Sequence, residues 1–139
     1  MKKQKTLGLL VFALFLAVLV IGCKPDPEPD PFDGTWIGSP NENITVRIEA
    51  SNGSFKVFVS QDGGKTYQEA QRGTYSGTGN TRTLTFTEVY YDSEWVSVAS
   101  LTDKEKQNMG LPSTPPTITL DGNTFTFDVG DDEIPFKKQ

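Results

Sequence analysis

Histidine is absent from this chain, and cysteine occurs once, at Cys23. The first absence removes the side chain that most often serves as a general base near neutral pH and as a zinc ligand. A lone cysteine permits no internal disulfide, so the folded part must hold itself together by packing. Basic residues are also scarce: 13 Lys and Arg face 18 Asp and Glu, and Lys2, Lys3 and Lys5 crowd at the N-terminus. Without those three, 10 basic residues face 18 acidic ones, a net charge of −8. Such a surface repels polyanions, which argues against nucleic acid as a partner. Residues 7–21 form the one long apolar run. It is shorter than the about 20 residues that a membrane-spanning helix needs.

That run follows a basic start and ends at Gly22-Cys23, the layout of a secretory signal. The tetrapeptide Val20-Ile21-Gly22-Cys23 resembles the lipobox of bacterial lipoproteins. The resemblance implies that residues 1–22 are a cleaved signal peptide and that the Cys23 thiol carries a diacylglyceryl group. It further implies export and lipid anchoring to the bacterial envelope, at the outer membrane or cell surface, so the membrane is a partner through the lipid on Cys23. Two other readings stay open: cleavage by an ordinary signal peptidase at the same small residues, and an uncleaved N-terminal anchor. Either would leave Cys23 as an odd thiol in an oxidising compartment, which lipidation explains.

Residues 23–31 read as the lipidated cysteine and a tether. Proline occupies every second position from Pro25 to Pro31, which disfavours helix and extends the chain as polyproline II over roughly 25 Å. Asp26, Glu28 and Asp30 repel one another and any anionic lipid surface. The Lys-plus-acid stretch after Cys23 is similar to surface-export signals of some lipoproteins of Gram-negative bacteria; a plain solvated spacer is the alternative.

Residues 32–139 suit one domain with one core. Apolar residues alternate in Ile44, Val46, Ile48, in Phe55, Val57, Val59, and in Phe125, Phe127, Val129, with polar residues between. This is the pattern of half-buried strands. Asn52-Gly53 and Asp121-Gly122 suit type I′ hairpins, and Gly63-Gly64 and residues 77–80 mark longer turns. The expected strands are 34–39, 44–51, 54–61, 66–76, 81–91, 94–101, 116–121 and 123–129. Eight antiparallel strands with mostly tight turns predict an all-β, up-and-down barrel. One short helix is expected between strands 6 and 7. Thr102 and Glu105 have capping-box spacing there, Gly110 offers a stop, and Pro112, Pro115 and Pro116 forbid continuation. That loop is either a lid over a barrel opening or a plug covering the rim.

Phe32-Asp33-Gly34-Thr35-Trp36 resembles the Gly-X-Trp opening of lipocalins and related calycin barrels. Residues 73–75, 79–80, 83–87 and 122–126 are similar to small lipocalin-like bacterial lipoproteins. The resemblance implies that Trp36 closes one barrel end and that a small apolar ligand is a possible cargo. Ser60-Gln61-Asp62-Gly63-Gly64-Lys65-Thr66-Tyr67 resembles the Asp-box of propeller proteins, a structural hairpin. A single copy excludes a propeller, and Asp62 is expected to accept backbone N–H bonds across the turn.

No catalytic constellation, cofactor motif or metal motif stands out. Glu88, Asp92 and Glu94 flank a turn, and Asp128, Asp131, Asp132 and Glu133 cluster after the last expected strand. Such groups serve a carboxylate hydrolase or Ca²⁺ only in a defined geometry, and their spacing is not that of an EF-hand loop. The favoured expectation is a non-enzymatic surface lipoprotein, a binding or structural module whose barrel binds a partner, such as a protein, or serves the envelope. A carrier of a small apolar ligand is the alternative, and an enzyme comes last. Glu88 breaks the strand pattern: Leu84, Phe86 and Tyr90 share its phase, so simple alternation points it inward. Either Glu88 lies at a wet barrel mouth, making Glu88 and Tyr90 the candidate ligand contacts, or a β-bulge turns it outward.

Overall fold

The computed structural model describes residues 29–129 and 132–139. The signal sequence, the lipobox, Cys23 and most of the tether lie outside the described residues.

Among the described residues nine strands form one antiparallel sheet: β1 (Gly34–Gly38), β2 (Thr45–Ser51), β3 (Ser54–Ser60), β4 (Gln68–Ser76), β5 (Thr81–Tyr91), β6 (Glu94–Ser97), β7 (Thr117–Thr119), β8 (Thr124–Val129) and β9 (Asp132–Lys138). Their order across the sheet is β6-β5-β4-β3-β2-β1-β9-β8, and β7 pairs with β5. The expected all-β antiparallel architecture is present, with two corrections. A ninth strand follows the eight expected, and the sheet is not closed into a barrel.

Strand β9 was hidden by its composition. It opens on Asp132 and Glu133 and carries Pro135, which in a strand signals an edge or an end. Pro135 is tolerated because the β1 ladder stops at Gly38 opposite Phe136, so only β8 flanks the proline. Closure fails for a related reason. The two halves of one β5 edge are taken by different strands, β7 at Thr81–Thr83 and β6 at Glu88–Tyr91. Strand β7 has three residues and begins after Pro115 and Pro116, which donate no backbone hydrogen bonds. Strands β7 and β8 are joined by a tight turn with a single bridge, Asp121 to Thr124, rather than a ladder.

The sheet nevertheless curls around one core. Strands β4 and β8 are five spacings apart, roughly 24 Å in a flat sheet at about 4.8 Å per strand. Yet Tyr75 on β4 and Phe125 on β8 both touch the ring of Phe32, at centroid distances of 4.8 and 5.9 Å. Phe32, Trp36, Phe55, Leu84 and Ile118 are almost fully buried on this concave side.

The turns explain the register. Asn52 and Gly53 both have positive φ (52° and 82°), as a type I′ hairpin requires. In the β7–β8 turn only Gly122 does (59°), the pattern of a type II′ hairpin with Gly122-Asn123 at its centre. Between β3 and β4 the Asp62 carboxylate gathers the loop, as expected. It accepts from Ser60 Oγ (2.6 Å), Lys65 N (3.1 Å), Thr66 N (2.9 Å) and Thr66 Oγ1 (2.5 Å). These donors, Ser60 and Thr66 above all, hold Asp62 well below the usual carboxylate range.

Helix α1 (Asp103–Asn108) lies where a helix was expected, after β6 and a 3₁₀ turn, Val98–Ser100. Its capping box is complete. Thr102 Oγ1 accepts from Glu105 N at 3.2 Å, and Thr102 N donates to Glu105 Oε2 at 2.7 Å. Gly110 ends the segment at φ 70°, and Leu111 beyond it is buried. Among the described residues no helix is long and apolar enough to cross a membrane.

Candidate ligand-binding site

The two ends of the curled sheet differ. At the end holding the start of β1 and the β2–β3 turn, aromatic rings fill the interior. Trp36 is wholly buried, its Nε1–H donates to the Phe32 carbonyl at 2.8 Å, and its ring meets Phe125 edge-on at 4.9 Å. Phe125 stacks on Phe136 at 4.9 Å. Lys138 Nζ lies 5.4 Å from the centre of the indole. Tyr75 donates a short hydrogen bond to Asp33, and burial with that bond pushes its hydroxyl up to about 12.

The N-terminal segment is fastened to this same end. Asp30 Oδ1 accepts from Phe32 N at 2.8 Å, and its carboxylate pairs with Arg82 Nε at 3.1 and 3.2 Å. Arg82 is buried (3 % exposed) and also donates to the carbonyls of Gly79 and Thr81. A buried guanidinium needs acceptors of this kind. Asp30, which composition assigns to the tether, is therefore bonded into the fold.

Toward the other end the concave face is hollow. A cavity of about 200 Å³ lies there, lined among others by Val46, Val57, Val59, Phe86, Phe127 and Ile134, with Gly110 at its margin. Val46, Phe86, Phe127 and Ile134 pack against the core yet remain half-buried, because the cavity side of each has no protein neighbour. Strand alternation put these residues on one face, but nothing local distinguished a filled end from a hollow one. Gln71 brings the one long polar side chain to the lining.

Two bulges reset the alternation beside this cavity. Val57 pairs with Gln71 but Phe58 with Glu69, so Ala70 is an extra residue. Arg72 pairs with Glu88 but Gly73 with Phe86, so Thr87 is extra. Beyond Thr87 the buried position is Val89 (5 % exposed), not Glu88. Glu88 pairs with Arg72 and Ser97 and shares their side of the sheet, opposite to Val89. The bulge, rather than a wet mouth, accounts for its place, which corrects the inward direction that simple alternation implied. Tyr90 pairs with Trp95 on the same side, their rings 5.4 Å apart, and does not line the cavity.

The remaining carboxylates do not converge. Asp92 and Glu94 are exposed at the β5–β6 turn, where Asp92 and Ser93 both have positive φ. Asp128 and Glu133 face each other across the β8–β9 hairpin, both exposed, and Asp131 lies outside the described residues. Among the described residues no three His, Cys, Asp or Glu side chains come together as a metal site.

No protein-family model, no curated protein and no solved structure matches this chain.

Proposed function

We propose that this protein is a non-enzymatic, lipid-anchored binding protein of the bacterial envelope that holds a small apolar ligand inside its curled sheet. The apolar cavity of about 200 Å³ between Val46, Val57, Phe86, Phe127 and Ile134 carries this reading. An apolar space of about 150 Å³ takes up benzene, so this one suits a ligand somewhat larger. With Gln71 at its wall, the cavity offers little to fix a charged or multiply polar molecule. Lipocalin-like likeness in the Gly34-Thr35-Trp36 opening agrees with a filled base and a hollow top, and the absence of histidine agrees with binding rather than catalysis.

Anchoring completes the reading. The lipobox-like Val20-Ile21-Gly22-Cys23 supports lipidation at Cys23, and the acidic proline-rich tether supports standing off from an anionic surface. Asp30 and Phe32 lie at the filled end, so the described chain enters the fold at the end opposite the cavity. Replacing Cys23 with Ser leaves the protein in the aqueous phase of a detergent partition or as uncleaved precursor. Partitioning as a lipoprotein without Cys23 would refute the anchor.

Naphthalene, titrated into the protein and followed by NMR, tests the cavity. Saturable shifts at Phe86, Phe127 and Ile134 are expected, and Val57→Trp, which fills the space, should abolish them. An unresponsive wild-type protein, or binding unchanged by Val57→Trp, would refute the carrier.

A further inference from the structure

A second concavity, an open groove of about 410 Å³, lies beside the β3–β4 loop and is lined by Gln61, Thr66, Tyr67, Gln68, Glu69 and Tyr90, with Val59 and Ala70 at its floor. We propose that this groove binds a neutral saccharide, the two tyrosine rings taking the C–H faces of a pyranose and the amide and carboxylate groups taking its hydroxyls.

Tyr67, Glu69, Tyr90 and the loop from Gln61 to Thr66 are held from behind, and several polar tips stay free. The Arg47 guanidinium lies 4.2 Å from the Tyr67 ring centre and 4.5 Å from that of Phe58. The Asp62 network fixes the loop that presents Gln61 and Thr66. Glu69 is gripped through Oε1 by Arg72 Nε at 2.5 Å, and Arg72 in turn lies over Trp95 at 3.8 Å, the same ring that supports Tyr90. The Ala70 bulge brings Glu69 to this side of the sheet, opposite Phe58. Groups locked in this way lose little entropy when a ligand arrives. Glu69 Oε2, the Tyr67 and Tyr90 hydroxyls and the Gln61 and Gln68 amides make no hydrogen bond to another described residue. They offer donors and acceptors in the mixture that sugar hydroxyls require.

The same contacts decide the charge of the ligand. A cation would seek the tyrosine faces and Glu69, but Arg47 already draws on the Tyr67 ring and Arg72 already neutralises the carboxylate. The Arg72 hydrogen bond also holds Glu69 below its ordinary range, so it stays an acceptor. An anion would meet a chain of net negative charge with no free cation among the residues lining the groove. A polar, uncharged ligand with apolar faces fits what remains. The groove's volume falls within the about 300–1,000 Å³ typical of small-molecule sites.

Native gels cast with a neutral polysaccharide test this, using mannan, starch or xyloglucan in turn, with acidic alginate as the contrast. The full chain is run in a detergent free of sugar. At least one neutral gel should retard the protein, and alginate should not. Tyr90→Ala should weaken retardation roughly tenfold, the loss of one aromatic stack. Gln61→Ala, on an exposed loop, gives a second variant that removes a polar contact without touching packing. Tyr90→Phe should retain most binding. Naphthalene titration should be unchanged by Tyr90→Ala, since Tyr90 does not line the cavity, which separates this site from the interior one. No retardation in any neutral gel, retardation by alginate alone, or retardation indifferent to both Tyr90→Ala and Gln61→Ala would overturn the proposal.

Discussion

Replacing Trp36 with Phe separates what holds the sheet curled from what the cavity binds. The indole is wholly buried, and its N–H bond at 2.8 Å ties β1 to Phe32 just before the strand. Phenylalanine keeps one ring against Phe125 and Phe32 but removes the donor. An unsatisfied buried carbonyl costs about 1–3 kcal/mol. The smaller side chain leaves a void of about 40 Å³, which at about 24 cal/mol per Å³ adds roughly 1 kcal/mol. The sum, about 2–4 kcal/mol, is a large share of the roughly 5–15 kcal/mol that stabilises a domain of this size. Urea titration followed by tryptophan and tyrosine fluorescence reads the change as a lower midpoint with an unchanged slope. Below its melting range the variant should bind naphthalene within about twofold of wild type, because Trp36 is not among the residues lining the cavity. A loss of stability under about 1 kcal/mol would mean that the indole does not close the base. A selective loss of naphthalene binding would mean that the two ends are not independent.

Three further outcomes follow from particular contacts. A domain begun at Phe32 lacks Asp30 and leaves Arg82 buried without its carboxylate, so it should melt below one begun at Pro29, by about 2 kcal/mol in denaturant titration. Gly73→Ala should cost about 2–4 kcal/mol: the new Cβ would lie 2.2 Å from the Thr85 carbonyl oxygen and 2.5 Å from the Phe55 ring, and backbone cannot step aside. Gly79→Ala, strained in φ but facing open space, should cost less by the same titration. Asp62 binds its proton less readily when folded than the ordinary value of 3.8. Its contribution is therefore complete above that value and fades as pH falls below it. The melting temperature of wild type should fall more steeply than that of Asp62→Asn between pH 5 and about 2.5, and parallel curves would refute the role given to Asp62.

Much of the strand plan was legible because the information is local. Alternation over two or three residue pairs marks a strand whatever lies across from it, and Asn52-Gly53 can adopt positive φ in any setting. The Thr102–Glu105 box is likewise complete within one helical turn. Strand β9 escaped because Pro135 is permitted only by where β1 happens to stop, at Gly38, far away in the chain. The choice between the two readings of Glu88 escaped for a similar reason. The bulge at Thr87 is a mismatch between β5 and β4, and no single strand contains it.

By itself, then, the sequence determined an all-β antiparallel chain with one capped helix, an Asp62-centred hairpin and a surface short of positive charge. Each is a property of backbone preference or composition over a few residues. Only the tertiary structure decided that the sheet stays open between β7 and β8. The same holds for the aromatic filling of one end and the hollow at the other, and for the gathering of Tyr67, Glu69 and Tyr90 beside one groove. These depend on strand order, bulge positions and the curl of the sheet, which bring distant residues together through packing that no short segment encodes.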